Sequence, residues 1–175
     1  MKNTNHSLFD KYEMIKDLGT GSSGSVTLVR HISMDQERAL KKVPKASAFA
    51  ESALSEARLL KSLEHPSIPR IFDFEEDDAF YYIVEEYIDG ETLDSFLLHQ
   101  QLISPGLFFN ICEQLCNVFI YLHTQISTPI IYRDLKPEHI IVCHNKLKLI
   151  DFGVSAYVIP VSYTHLRAHE TTLHL

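Results

Sequence analysis

Near its N-terminus the chain alternates between apolar and polar residues on both sides of a glycine cluster. The alternation covers residues 12–31, and the glycines stand at positions 19, 21 and 24. An apolar residue at every second position is typical of a β-strand with one buried face, and glycines between two such runs are typical of a turn. The pattern predicts two strands joined by a glycine-rich turn.

Three later segments carry apolar residues at helical spacing. They are residues 50–63, 91–100 and 104–125. The first consists of strong helix formers and ends before Pro66, because the residue ahead of a proline disfavours helical backbone. The third begins with Ser104 and Pro105, which suit the N-cap and the first turn of a helix. We therefore predict three helices, of which the third is long and turns an apolar side to the core.

The remaining apolar runs are short and predict strands. They cover residues 38–43, 71–74 and 80–84. An acidic run at 75–78 separates the last two and predicts a solvated loop. Two more short apolar runs lie between His139 and Asp151, and these predict a hairpin.

Composition narrows the class of protein without identifying it. The chain has 175 residues, of which 45% are hydrophobic and 22% are charged, and this suits a globular protein with a sizeable core. A net charge of −7 argues against a general nucleic-acid binder. No apolar run has the length of a membrane span, and the N-terminus is too polar for a signal peptide. The three cysteines do not suggest a disulfide framework, so we expect a cytoplasmic protein.

Two acidic residues, Asp134 and Asp151, lie on either side of the predicted hairpin in distinctive surroundings. The first belongs to Arg-Asp-Leu-Lys-Pro-Glu at 133–138, and the second belongs to Asp-Phe-Gly at 151–153. Together these motifs resemble the catalytic loop and the metal-binding triplet of protein kinases, and Lys136 resembles the lysine that marks the Ser/Thr kinases. The likeness covers about residues 9–156. The stretch 65–90 is also similar to bacterial receptor-type kinases.

The resemblance implies an α+β fold of two lobes. Residues 12–86 would form a complete small lobe, a five-stranded antiparallel sheet with one helix. Residues 91–159 would form the start of a truncated helical large lobe, so that the kinase domain covers 1–159. Residues 160–175 resemble a translated sequencing adapter, and we expect them to be an artefactual tail.

The resemblance also implies a site for ATP between the lobes. The glycine pattern alone would also fit a flexible hairpin, but the strand-like residues 26–29 after it disfavour a dinucleotide-binding helix. Glycines let backbone N–H groups lie close to phosphate oxygens. The expected contacts of ATP are Leu18, Gly19, Thr20, Gly21, Ser22, Gly24, Val26, Ala39, Lys41, Glu86, Ile88 and Ile141.

Strand periodicity selects Lys41 over Lys42 as the lysine that faces the phosphates, because Lys41 shares a face with Ala39. The resemblance implies that Glu56 pairs with Lys41, and Glu51 is the alternative. Glu85 falls at the back of the expected pocket, where the family usually has an apolar residue or Thr. A carboxylate there costs desolvation free energy unless it is paired.

The remaining implied roles concern catalysis and metal binding. Asp134 would be the catalytic base, Lys136 would steady the transferred phosphoryl group, and Asp151 would bind Mg²⁺. His139 stands where the family has the Asn that holds a second Mg²⁺. Imidazole can ligate a metal, but magnesium prefers oxygen ligands.

The function that follows from the resemblance is transfer of the ATP γ-phosphoryl group to a Ser or Thr of a protein. Two alternatives remain open. The first is a non-catalytic nucleotide-binding module, which His139 supports, and the second is a small-molecule phosphotransferase, which the context of Lys136 disfavours. We expect the 175-residue chain itself to be poorly soluble and inactive, because the apolar face of its long helix would be uncovered. A membrane tether in a lost C-terminal part is also left open.

Overall fold

The computed structural model describes residues 8–21, 24–100, 102–125 and 127–158. Ser22, one of the predicted nucleotide contacts, lies outside the described residues. So does the predicted tail at 160–175.

Within the described residues, five strands form one antiparallel sheet in the order β1-β2-β3-β5-β4, as predicted. The strands are β1 Tyr12–Gly21, β2 Gly24–His31, β3 Gln36–Pro44, β4 Ile71–Glu76 and β5 Phe80–Glu86. Helix α2, Ala50–Lys61, covers one face of this sheet. Beneath it, Val43 and Ile83 pack against Ala53 and Ala57. Because side chains alternate along a strand, Lys41 lies on the same face of β3 as Val43 and is turned towards α2.

A short helix that the sequence pattern did not predict, α1 (Leu8–Lys11), precedes the sheet. Its Leu8 is buried in the core on the other face of the sheet. The backbone N–H of Leu8 donates to Oε2 of Glu75 at 2.6 Å, and Lys11 forms an ion pair with Asp73 at 2.8 Å. The helix is therefore fixed by its long-range partners, since four residues alone cannot sustain a helix.

The acidic run at 75–78 is not wholly a loop, and this part of the prediction was wrong. Glu75 and Glu76 continue β4 and pair with β5. Glu75 accepts the hydrogen bond from Leu8, and Glu76 forms an ion pair with Lys45 at 2.7 Å. These partners stabilise the two carboxylates within β4. Of the acidic run, only Asp77 and Asp78 remain in the turn between β4 and β5.

The large lobe is mainly helical where it is described. Its elements are β6 Glu91–Thr92, α3 Leu93–His99, α4 Pro105–Ile120, β7 Ile130–Ile131, β8 Ile140–Cys143, β9 Lys146–Leu149 and β10 Ala156–Tyr157. Helix α4 begins as predicted, with the Ser104 hydroxyl accepting from the N–H of Leu107 at 3.2 Å. After Ile120 it continues to Gln125 as a π-helical turn. Among the described helices, none combines the length and the apolar character needed to cross a lipid bilayer.

The predicted hairpin is formed by β8 and β9. Its two turn residues, His144 and Asn145, both have positive φ, at 48° and 63°, as a two-residue hairpin of this twist requires. Because β8 and β9 pair, His139, the residue before β8, lies next to Ile150, the residue after β9. The N–H of Ile150 donates to the carbonyl of His139 at 2.9 Å. The hairpin thus places His139 beside Asp151.

Gly90 joins the two lobes at a position without room for a side chain. A Cβ there would lie 2.4 Å from the carbonyl oxygen of Val142 and 2.8 Å from Cγ2 of Ile141. Gly90→Ala should therefore lower the free energy of unfolding by about 2 kcal/mol, as overpacking does. Gly106→Ala is the matched control, because a Cβ at Gly106 meets nothing within 4 Å. Urea unfolding would test this, and equal stability of the two variants would contradict it.

Candidate active site

The two lobes enclose a cleft of about 610 Å³. Eleven of the residues placed there from the sequence line it, namely Leu18, Val26, Ala39, Lys41, Glu56, Glu85, Glu86, Ile88, Asp134, Ile141 and Asp151. The cleft is therefore built from strands β1, β2, β3, β5 and β8, from helix α2 and from the loops around β8 and β9. Side chains that lie far apart in sequence meet here because the sheet and the hairpin face each other.

Strands β1 and β2 contain the described part of the glycine-rich segment, up to Gly21 and again from Gly24. Gly19, Thr20, Gly21 and Gly24 are not among the residues that line the cleft. Gly24 has a φ of +136°, and a Cβ there would lie 2.1 Å from the carbonyl oxygen of Lys42. Glycine is therefore required at this position by the close packing of β2 on β3, independently of any ligand.

Lys41 and Glu56 form the ion pair that the sequence predicted. Nζ of Lys41 lies 3.0 Å from Oε2 of Glu56, and both side chains are largely buried. Burial lowers the pKa of Lys41, but the carboxylates of Glu56 and Glu85 outweigh it, so that the pKa is raised overall. Lys42 points to the opposite face, where its Nζ lies 4.0 Å from the centre of the Phe80 ring. The strand register thus selects Lys41, as expected.

Helix α2 also holds the Asp-Phe-Gly segment through two hydrogen bonds. The N–H of Phe152 donates to Oε1 of Glu56 at 2.9 Å, and the hydroxyl of Ser52 donates to the carbonyl of Gly153 at 2.9 Å. Ser52 lies one helical turn before Glu56, so both side chains project from the same face of α2. The same glutamate therefore fixes Lys41 with one oxygen and the segment around Asp151 with the other.

Glu85 is a carboxylic acid at the back of the cleft. Its pKa is raised to about 7, because burial and the neighbouring Glu56 carboxylate raise the pKa by more than the Lys41 ammonium lowers it. Glu85 lies two residues after Ile83 on β5 and so shares the face that meets α2. A substantial fraction of Glu85 is consequently uncharged at neutral pH, which lessens the cost of burying a carboxyl group beside Glu56.

Tyr132 holds the loop that carries Asp134. Tyr132 is buried, its hydroxyl donates to the carbonyl of Ile150, and its ring meets that of Phe152 edge to face at 5.1 Å. Burial, together with nearby Asp151 and Asp134, raises the pKa of the Tyr132 phenol, so the hydroxyl stays a donor. Tyr132 thereby ties the Asp134 loop to the Asp-Phe-Gly segment.

Asp134 and Asp151 face the cleft from neighbouring loops. Oδ2 of Asp134 lies 3.2 Å from Nζ of Lys136, so the predicted base and the predicted phosphoryl-binding lysine are adjacent. Arg133 and Asp151 have left-handed backbone, with φ of 72° and 60°. A left-handed non-glycine residue costs about 1–3 kcal/mol and is found most often at functional sites. The hydrogen bonds around Phe152 hold Asp151 in this conformation.

His139 lies between the two aspartates and is buried. Its Nδ1 lies 3.1 Å from the carbonyl oxygen of Asp134, and its Nε2 lies 3.2 Å from Oδ2 of Asp151. Nε2 of His139 is thus a nitrogen donor that lies beside an oxygen donor, Oδ2 of Asp151. These two atoms could together hold a divalent cation. Across the described ranges, no three His, Cys, Asp or Glu side chains form a metal site by themselves. A cation at this point would need further oxygens from a ligand.

Several residues of the cleft were not predicted from the sequence. They are Phe49, Ser52, Ala53, Leu60, Pro69, Ile150 and Val154. The spacing of four between Ser52 and Glu56 would have revealed Ser52, because residues one turn apart share a helix face. The others enter the cleft through tertiary packing and carry no local signal.

The chain is similar in sequence to known protein kinases. A model of the protein kinase domain matches residues 12–171, which extends into the predicted tail. The chain is 30% identical over 169 residues to the serine/threonine-protein kinase PrkC of Bacillus subtilis, covering 94% of the chain and 26% of that protein. It is 34% identical over 172 residues to calcium-dependent protein kinase 4 of Plasmodium falciparum, covering 90% and 31%. It is 35% identical over 164 residues to cAMP-dependent protein kinase type 3 of Saccharomyces cerevisiae, covering 91% and 40%. The chain therefore spans well under half the length of each of these relatives.

Proposed function

Because this chain belongs to the protein kinase family, we propose that its full-length gene product transfers the γ-phosphoryl group of ATP to a Ser or Thr hydroxyl of a protein. The observation that carries the proposal is the meeting of Lys41, Asp134 and Asp151 at one cleft. Phosphoryl transfer needs a cation for the phosphates, a carboxylate for the attacking hydroxyl and a carboxylate for the metal. The three side chains supply these groups.

Each side chain has a role that follows from its position. Asp134 would accept a hydrogen bond from the attacking hydroxyl and orient it, and Lys136 beside it would neutralise charge on the transferred group. Lys41, held by Glu56, would bind phosphate oxygens. Bound Mg²⁺ would supply charge neutralisation on the phosphates, and Asp151 with His139 would hold it.

The adenine base would lie between apolar residues of the two lobes. Val26 and Ala39 would contact it from the small lobe, and Ile141 would contact it from the large lobe, since all three line the cleft. Backbone groups of Glu86 and Ile88 would pair with its polar edge. The Glu86 side chain is engaged in an ion pair with Lys148 at 2.7 Å, and its backbone N–H donates to the carbonyl of Arg70 at 2.9 Å, so its carbonyl oxygen would be the group that meets the base.

The glycine-rich turn would cover the phosphates. In this proposal the backbone of Gly19, Thr20 and Gly21 turns towards the nucleotide once it is bound, because these residues have little or no side chain in the way. The proposed reaction consumes ATP, and it accords with the cytoplasmic location expected from the sequence.

One observation favours a second candidate function, a nucleotide-binding module without catalysis. His139 contacts both Asp134 and Asp151, and it could hold the two carboxylates together without a metal. In that case the domain would bind ATP and transfer no phosphate. A small-molecule phosphotransferase is the weaker alternative, because the ion pair of Lys136 with Asp134 suits the protein kinase mechanism.

The 175-residue chain alone should be inactive and poorly soluble. Phe108, Phe109 and Ile120 of α4 are each at least half exposed, with exposed fractions of 53%, 68% and 51%. An apolar face of this kind normally packs against further structure. Strong phosphorylation of a generic substrate by the purified chain would contradict this part of the proposal.

The proposal is tested by a matched pair of lysine substitutions in the full-length gene product. Lys41→Met should weaken binding of a fluorescent ATP analogue at least about ten-fold, because it removes a buried cation from the phosphate site. Lys42→Met should leave binding within about two-fold, because Lys42 packs on Phe80 on the other face. Labelled phosphate should appear on Ser or Thr of a protein substrate. Equal affinities of the two variants, or label on a small molecule alone, would overturn the proposal.

A further inference from the structure

His139 carries its hydrogen on a defined ring nitrogen. Nδ1 lies 3.1 Å from the backbone carbonyl oxygen of Asp134. A carbonyl oxygen can only accept a hydrogen bond, so Nδ1 must donate. In the neutral imidazole, Nε2 is then left with a lone pair.

The lone pair of Nε2 faces another acceptor. Oδ2 of Asp151 lies 3.2 Å away, and an ionised carboxylate has no hydrogen to donate. Two acceptors at this separation repel each other unless positive charge lies between them. The side chain of His139 is only 11% exposed, so water does little to relieve that repulsion. Positive charge between the two atoms, from a bound cation or from a hydrogen on Nε2, would remove this repulsion.

We propose that Nε2 of His139 and Oδ2 of Asp151 together bind a divalent transition-metal ion, and that this active site prefers such an ion to Mg²⁺. The inference rests on the proposed kinase function, because phosphate oxygens of the nucleotide supply the remaining ligands. Adjacent ligands of an octahedral ion with bonds of about 2.1 Å lie about 3 Å apart. The observed separation of 3.2 Å suits shared coordination.

The preference follows from the chemistry of the donors. Magnesium is a hard ion that prefers oxygen ligands and gives up its water reluctantly. Imidazole nitrogen suits first-row transition ions, whose affinities for such a site rise from Mn²⁺ towards Cu²⁺. The contact of Nδ1 with Asp134 fixes the ring and directs Nε2 at the ion, which is the role of a supporting partner in many histidine metal sites.

A second hydrogen on the ring would satisfy the same contacts without any metal. A doubly protonated His139 would bridge Asp134 and Asp151, and no ion would contact its nitrogen. The two arrangements differ in whether nitrogen coordinates the metal. A spectroscopic measurement of coordination therefore distinguishes them, and it requires no catalytic activity.

The experiment uses Mn²⁺ as a paramagnetic probe with the full-length gene product and a non-hydrolysable ATP analogue. Pulsed EPR should show coupling of the Mn²⁺ electron spin to a directly bound ¹⁴N nucleus. His139→Asn should remove this coupling. His144→Asn is the matched control and should retain it, because His144 is exposed on the β8–β9 turn and Asn tolerates its left-handed backbone.

Nucleotide affinity gives an independent measurement. With Ni²⁺ the analogue should bind at least about ten-fold more tightly than with Mg²⁺, and His139→Asn should reduce this ratio to about two-fold or less. Analogue binding without ¹⁴N coupling, or an unchanged ratio in His139→Asn, would overturn the metal preference and leave the kinase proposal standing. Failure to bind the analogue with any metal would overturn both.

Discussion

Replacing Asp134 by Asn should lower the rate of phosphoryl transfer by the full-length gene product about a thousand-fold, within the range observed when a positioned acid or base is removed. Asn keeps the size of the side chain but accepts hydrogen bonds with only one oxygen and carries no charge. The attacking hydroxyl would lose the carboxylate that orients it and receives its proton. The rate of single turnover with saturating ATP measures this directly.

The same substitution should leave nucleotide affinity and stability almost unchanged. Asp134 and its partner Lys136 are both more than 40% exposed, and exposed ion pairs contribute little to stability. Glu138→Gln is a matched control, since it exchanges a carboxylate for an amide four residues along the same loop, where Glu138 is exposed. Transfer by Asp134→Asn at the rate of Glu138→Gln would remove Asp134 from the role of base.

Replacing Glu85 by Gln should stabilise the protein at pH 8 by about 2–3 kcal/mol and should have little effect at pH 4.5. The pKa of Glu85 is about 7 in the folded protein against 4.5 for the free side chain, because burial disfavours the carboxylate. A raised pKa stabilises the fold below 4.5, and this contribution is lost as the pH rises through 7. Each unit of pKa difference corresponds to about 1.4 kcal/mol.

The measurement is the difference in unfolding free energy between Glu85→Gln and wild type, taken in urea at pH 4.5, 6 and 8. Both proteins contain every other titrating group. The contribution of those groups to the unfolding free energy therefore cancels in the difference. Glu51→Gln controls for the loss of one negative charge, because Glu51 lies on the exposed side of α2. If the difference in unfolding free energy does not grow between pH 4.5 and pH 8, then Glu85 ionises in the folded protein without loss of stability.

Local sequence patterns predicted the parts of this fold that local physics determines. Alternation of apolar residues located the strands and assigned Lys41, not Lys42, to the face that meets Glu56. Ser104 and Pro105 located the start of α4 because capping depends on a few neighbouring residues. The hairpin between His139 and Asp151 followed from two short apolar runs. The protein kinase family followed from two motifs and their spacing, and the family match confirmed it.

The features that the sequence did not predict depend on partners far along the chain. Helix α1 forms because Leu8 and Lys11 have partners on β4, more than 60 residues away. Glu75 joins a strand for the same reason. The raised pKa of Glu85 depends on its burial in the folded chain, and then on Lys41 and Glu56. The contact of Ser52 with Gly153 joins residues 101 positions apart. None of these long-range contacts can be predicted from the spacing of residues along the chain.

The two hydrogen bonds from α2 to Phe152 and Gly153 have a consequence for regulation of the domain. Since Glu56 holds both Lys41 and the segment around Asp151, outward movement of α2 would break both contacts together. Under the proposed function, an effector that favours the inward position would then strengthen nucleotide binding, and the nucleotide would strengthen effector binding by the same factor. Glu56 supplies two of these contacts and Ser52 supplies a third, so Glu56→Gln should weaken the coupling between the two sites.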